Sequence, residues 1–328
     1  MSAVRTAREN QPAASLWGHV STSQAFALHV GQPSSTVGGA LRSAASELAL
    51  VTVAPRHDIP RMEAEVLLAY VLGTSRAVLI AHPERPLTPA QLDRYQALVR
   101  RRAADYPLPY LTGRLEFYGL EFEVTPEVLI PRPETEMLVE LALARQPASA
   151  VDVGTGSGCI AVSLAVHLPE ATIYATEISP AALAVARRNA ERHGVAERVR
   201  LLAGDLLSPC PGPVDLIVSN PPYVSTGEWA SLPASVRDYE PSLALDGGPD
   251  GLDVVRRLLA QAAATWVSGH RPPTGVGGLA SPVGALLIEI GARQGEAAAN
   301  LARTFFPQAT VRVLPDLAGR DRVLEIQT

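Results

Sequence analysis

The sequence predicts an α/β protein: a mostly parallel sheet with helices on both faces, preceded by a small helical bundle. Three observations carry this. Past Thr135, helical periods alternate with short β-rich apolar runs; Gly154, Gly156 and Gly158 sit in a turn between such a run and a helix; before residue 113 the apolar spacing is helical. At 328 residues the chain is long enough for two domains, and 47% hydrophobic with 19% charged residues suits large buried cores.

Residues 1–36 are rich in Ser, Thr, Ala, Gln and Gly without an apolar period and read as a loosely ordered extension. From 37 to 113 a helical domain is expected. Leu41, Ala45 and Leu48, then Ala64, Leu67, Leu68 and Val71, recur at helical spacing, with Gly73 as a stop. Thr88 and Pro89 supply an N-cap and a first-turn proline for a helix lined by Leu92, Tyr95, Leu98 and Val99, ending before Tyr106. Alternation from Glu116 to Val124 reads as a hairpin turning near Gly119, within a linker of residues 114–130.

Residues 131–328 form the α/β domain. Strands are expected near 149–153, 171–176, 198–202, 214–219 and 284–290, with an antiparallel pair near 309–314 and 322–326 closing a sheet of seven. The Gly- and Pro-rich stretch 269–284 reads as a surface insertion after a helix ending near Val267.

A net charge of −5 gives no global basic field, so a direct nucleic-acid partner is not expected, and Arg100, Arg101 and Arg102 read as a solvated helix face. Cys159 and Cys210 lack metal-ligand or disulfide spacing, which implies a reducing compartment and no metal. No apolar run reaches the roughly 18 to 20 residues of a spanning helix, and no leader pattern opens the chain, so a cytoplasmic, non-membrane protein is expected.

The run Gly154, Thr155, Gly156, Ser157, Gly158 lets a ligand approach the backbone, but its Gly-x-Gly-x-Gly spacing is not the Gly-x-Gly-x-x-Gly of dinucleotide sites. Glu177, about 20 residues on at a strand end, suits ribose hydroxyls, so the pattern favours an adenosyl ligand. Asp205 and Leu206 are candidates for the adenine amino group and face, although Asp205 reads equally well as a helix N-cap.

A buried strand then ends in Asn220, Pro221, Pro222 and Tyr223, at the carboxyl edge where open α/β sheets bind ligands. The Asn220 side-chain oxygen and the Pro221 carbonyl suit the two protons of a planar NH2 group, and Tyr223 suits stacking on it. An amide nitrogen held that way can be methylated by S-adenosylmethionine, and no catalytic histidine is needed, because the proton leaves after the methyl arrives. Asn220, Pro221 and Tyr223 are the candidate catalytic residues.

With these motifs, the segments Pro109 to Gly113, Glu116 to Tyr118, Leu129 to Glu136 and Arg237 to Pro241 resemble, in order, the release factor glutamine methyltransferase family (HemK/PrmC) over roughly residues 40–328. The resemblance implies a Rossmann-like class I methyltransferase domain behind a helical substrate-docking domain. It implies S-adenosyl-L-methionine as cofactor, at Gly154 to Gly158, Glu177, Leu206 and Asn220. It further implies methylation of the glutamine in the Gly-Gly-Gln motif of class 1 release factors, gripped by Asn220 to Tyr223 with Phe117, Arg132, Pro133 and Glu134 lining the pocket. A monomer is expected. The chain departs from the family at Glu177, often aspartate, and Leu206, often aromatic. The competing readings are a ribosomal-protein glutamine methyltransferase, which generally lacks the Arg132 to Glu136 segment, an adenine amino methyltransferase, and a non-catalytic cofactor-binding module on the translation machinery.

Overall fold

The structure, a computed structural model, describes residues 35–50, 59–267 and 284–328. The expected N-terminal extension up to residue 34 and nearly all of the 269–284 insertion lie outside the described residues.

The helical bundle consists of α1 (Val37–Ala49), α2 (Ile59–Leu72), α3 (Arg76–Ala81), α4 (Pro89–Ala103) and α5 (Leu108–Thr112). The Thr36 hydroxyl accepts from the Gly39 N–H to start α1. At α4 Thr88 and Gln91 form a reciprocal capping box, satisfying two amide groups that the helix itself cannot. Leu48, Leu67, Leu68, Leu79, Tyr95 and Val99 make the bundle core. The short helices α3 and α5 are too brief to show a period and were not expected; α5 ends at Gly113, whose φ of 72° closes it. The arginine run at the end of α4 is not uniformly solvated. Arg102 turns inward to pair with the buried Glu63, and the Arg101 guanidinium covers the Tyr106 ring at 4.1 Å.

β1 (Arg114–Phe117) and β2 (Leu120–Glu123) form the linker hairpin. Tyr118 and Gly119 both have positive φ, 51° and 72°, the turn whose twist matches that of the strands it joins. The α/β domain follows: α6 (Glu136–Leu143), β3 (Ser149–Val153), α7 (Cys159–His167), β4 (Thr172–Glu177), α8 (Pro180–Arg192), β5 (Val199–Ala203), β6 (Leu216–Ser219), α9 (Ala234–Arg237), α10 (Asp253–Val267), β7 (Ala285–Glu289), α11 (Gly295–Phe305), β8 (Thr310–Pro315) and β9 (Asp321–Gln327). Among the described residues the sheet has seven strands in the order β5-β4-β3-β6-β7-β9-β8, of which β9 alone runs against the rest.

Alternate residues of the central strands enter separate cores. Ala150, Ile173, Leu216, Val218 and Leu287 pack with Leu138, Ile160 and Leu164 of α6 and α7. Val151, Val153, Ile217, Leu286 and Ile288 pack with Val255, Leu258 and Ala298 of α10 and α11. Burial on both faces explains why these strands read as continuous apolar runs. From β3 the chain steps outward to β4 and β5, then returns to β6 on the other side of β3. This reversal opens a crevice at the carboxyl ends of β3 and β6, where such sheets take ligands.

The bundle meets this domain through tyrosines. Tyr239 packs edge-on against Tyr106 at 5.0 Å and donates to the Ala104 carbonyl, while the Tyr110 hydroxyl donates to the Val128 carbonyl at 2.6 Å.

Candidate active site

A cavity of about 240 Å³ opens at the switch point, lined by the turn after β3, the ends of β4 and β5, Asn220 and Pro222 after β6, and Arg257 of α10. Gly154 and Gly156 have φ of 72° and 55°, and a Cβ on either would meet nothing within 4 Å among the described residues, so glycine serves here to bend the backbone around open space. Gly158 differs: a Cβ there would stand 3.1 Å from that of Ala186, so its absence lets α7 pass close to α8.

The turn is held from three sides. The Gly154 and Thr155 amides both donate to the Thr176 carbonyl, at 2.9 and 3.0 Å. Behind it, the buried Asp152 accepts from the Thr155 hydroxyl at 2.6 Å and the Ala161 N–H at 3.1 Å. Its other oxygen has no hydrogen-bond partner among the described residues, and burial outweighs these bonds to push the carboxyl up to about 7. Buried Asn189 donates to the carbonyls of Ser157 and Glu123, tying the turn to the linker hairpin. Neither Asp152 nor Asn189 announces itself in the sequence; only an acid just before the glycine run hints at the first.

Glu177 lies at the end of β4 facing the cavity. One carboxylate oxygen accepts from the Gly156 N–H at 2.9 Å and the other from the Ser179 N–H at 2.8 Å. A carboxylate has about four acceptor positions, so two remain for hydroxyl donors. The apolar Ile178 and Leu206 line the same end. Leu206 holds a positive φ of 51°, and Asp205 caps no helix, since a turn follows β5; its carboxylate pairs with Arg257. The N-cap alternative for Asp205 is therefore ruled out.

At the other end, the Asn220 amide nitrogen donates to the Thr135 hydroxyl at 3.1 Å, and Thr135 donates to Glu289 at 2.7 Å. The Tyr223 hydroxyl reaches the other Glu289 oxygen at 3.4 Å. Gln294 holds the Tyr223 carbonyl at 3.0 Å, and a Cβ on Gly251 would stand 2.4 Å from that same oxygen. Glu289, at the end of β7, is fully buried, and burial raises its carboxyl to about 6 against the lowering influence of Thr135, Arg322 and Tyr223. Nothing in the sequence marked Glu289 beyond its place at a strand end.

The expected site residues divide accordingly. Gly154, Thr155, Gly156, Ser157, Glu177, Asp205, Leu206, Asn220 and Pro222 line the cavity. Gly158, Pro221 and Tyr223 adjoin it, with Pro221 buried. Phe117 does not reach it: the ring is 2% exposed and packs edge-on against Phe122 in the core, as the inward face of a two-stranded hairpin requires. Arg132 does not line it either. Its guanidinium pairs at 2.5 Å with the buried Glu240, whose second oxygen accepts from the Ile130 N–H. Pro133 and Glu134 form an exposed turn, while their neighbours Pro131 and Thr135 line the cavity.

A glycine turn and strand-end acid alone would suit a dehydrogenase as well. The amide and proline segment at the far end of the same cavity instead defines an α/β methyltransferase using S-adenosylmethionine, and the open space at Gly154 and Gly156 with spare acceptors on Glu177 fits that cofactor. The chain belongs to the release factor glutamine methyltransferase family. It is 49% identical to the release factor glutamine methyltransferase of Moorella thermoacetica over 86% of this chain and 96% of that one. Against that of Geobacter sulfurreducens it is 45% identical, over 80% and 88%. Residues 40–113 match the PrmC N-terminal domain and residues 133–233 the methyltransferase small domain. Among solved structures, a methyltransferase from Pyrococcus furiosus aligns with a TM-score of 0.46 at 20% identity, over 71% of this chain and 96% of that one.

Proposed function

We propose that the protein methylates the side-chain amide nitrogen of the glutamine in the Gly-Gly-Gln motif of class 1 peptide-chain release factors, acting as a monomer in the cytoplasm. The observation that carries this reading is the polarity of Asn220, whose amide nitrogen is engaged by Thr135, leaving its oxygen as the acceptor on the other side. The names of the relatives support the target.

In this reading Glu177 holds the ribose hydroxyls, Gly154 to Gly158 pass the backbone under the cofactor, and Asp205 and Leu206 flank the adenine. S-adenosylmethionine supplies a methyl group made electrophilic by its sulfonium. The Asn220 oxygen and the Pro221 carbonyl accept the two N–H protons of the target amide, which holds its nitrogen out of conjugation with its carbonyl. Tyr223, anchored by its hydroxyl on Glu289, offers a ring to the flat amide. The alkylated nitrogen is strongly acidic, so its proton passes to water without a strong base. The bundle of residues 37–113 serves to dock the release factor; no helix among the described residues is long and apolar enough to cross a membrane.

The test is transfer of labelled methyl to a purified release factor, with Gln→Ala in its Gly-Gly-Gln motif as control. Label only on the intact motif supports the proposal; label on ribosomal protein or DNA instead overturns the target while keeping the chemistry. Asn220→Ala is expected to lower kcat about 100- to 1000-fold, the scale of losing one preorganised transition-state contact, with cofactor affinity changed far less.

A further inference from the structure

We infer that Glu289 is the positioning residue that sets which end of the Asn220 amide faces the target, acting through the Thr135 hydroxyl; the inference rests on the amide-grip reading above. A carboxylate only accepts hydrogen bonds, and a hydroxyl has one proton to give. With Thr135 donating to Glu289 at 2.7 Å, its oxygen must act as acceptor toward Asn220, and it receives the amide nitrogen at 3.1 Å. The Asn220 oxygen is thereby turned toward the cavity. All three groups are tied to different elements, the turn before α6, the end of β6 and the end of β7, so the relay also locks those elements at the crevice.

The groups facing Glu289 agree with an ionised form that does this work. Thr135 and the Tyr223 hydroxyl donate to its two oxygens, Arg322 of β9 favours its charge, and Glu134 beside Thr135 opposes it. On the α7 side the nearby Cys159 thiol stays neutral, pushed up to about 12 by burial. Protonation of Glu289 gives it a proton to donate to the Thr135 oxygen. The hydroxyl proton then turns to Asn220, whose oxygen is drawn inward while its NH2 faces the cavity. Two NH2 groups then confront each other, and the target nitrogen keeps the Pro221 carbonyl but loses the Asn220 oxygen, one of its two acceptors. Proton number is conserved in this exchange apart from the one taken up by Glu289.

The experiment compares full-length wild type with Glu289→Gln, Thr135→Val and Thr135→Ser. Glutamine keeps the volume of Glu289 but both donates and accepts, so it imposes no polarity. For wild type, kcat for release-factor methylation should fall on acidification along a limb near pH 6. Glu289→Gln should lower kcat at least about tenfold at pH 8 and abolish that limb, with KM for S-adenosylmethionine within about twofold. Thr135→Val should match it, and Thr135→Ser should restore most activity. A Glu289→Gln protein with wild-type kcat, or one keeping the acid limb, overturns the inference. A second readout needs no protein substrate: the ¹⁵N side-chain amide signal of Asn220, assigned by its loss in Asn220→Ala, should titrate in wild type and not in Glu289→Gln. If wild type leaves release factor unmethylated, the target reading fails while this signal still decides the role of Glu289.

Discussion

Removing the Arg132 guanidinium should destabilise the fold rather than merely weaken substrate binding. In the structure Glu240 is 6% exposed and has two partners, Arg132 at 2.5 Å and the Ile130 N–H at 3.1 Å. Arg132→Ala would leave a buried carboxylate with one neutral donor. Breaking a fully buried pair costs roughly 3–5 kcal/mol, and because the Arg132 side chain is 28% exposed, water entering its place should reduce this to about 2–3 kcal/mol. Pro131 and Pro241, neighbours of the two partners, both line the cavity, so cofactor affinity should fall as well. Urea unfolding gives the stability and calorimetric titration the affinity. Adding Glu240→Gln to Arg132→Ala should recover at least half of the lost stability, since the stranded charge is gone. If Arg132→Ala stays within about 0.5 kcal/mol of wild type and only KM for the release factor rises, Arg132 is a substrate contact and the clamp reasoning is wrong.

Glu177→Ala, losing the acceptor of the Gly156 and Ser179 amides together with the proposed ribose contacts, should raise the Kd for S-adenosylmethionine about 100-fold by calorimetry; a change under threefold would rule it out as the cofactor acid. Gly158→Ala forces a left-handed residue and a Cβ 3.1 Å from Ala186, and should cost about 1–3 kcal/mol in urea unfolding, whereas an unchanged midpoint would mean that α7 and α8 separate freely. Asp152 and Glu289 are raised to about 7 and 6 in the fold from ordinary values of 3.8 and 4.5, so the folded state holds their protons more tightly. Their contribution to stability is complete below the ordinary values and is lost as pH rises through 6 to 7. A melting profile from pH 5 to 8 should therefore be less steep for Asp152→Asn than for wild type, and an identical slope would contradict the raised carboxyl.

Two kinds of information separate clearly in this protein. The strands β3 to β7, the helix α7 from Cys159 to His167 and the capped start of α4 were legible because local physics writes them: burial on both sheet faces demands apolar runs, and Thr88 with Pro89 suits only a helix start. The same holds for the Gly154 to Gly158 turn and for the Asn220 to Tyr223 segment, whose residues are contiguous and carry their geometry with them. The tertiary structure alone decided what lies behind them. Asp152 under the glycine turn, Asn189 bridging it to a hairpin 66 positions away, and Glu289 beneath Asn220 act across long separations in the chain. It also moved Phe117 into the core and Arg132 into a clamp with Glu240, residues 108 positions apart. A hydrogen bond between distant elements leaves no period or spacing in the sequence, because only the register of the sheet and the crossing of its helices bring the two partners together.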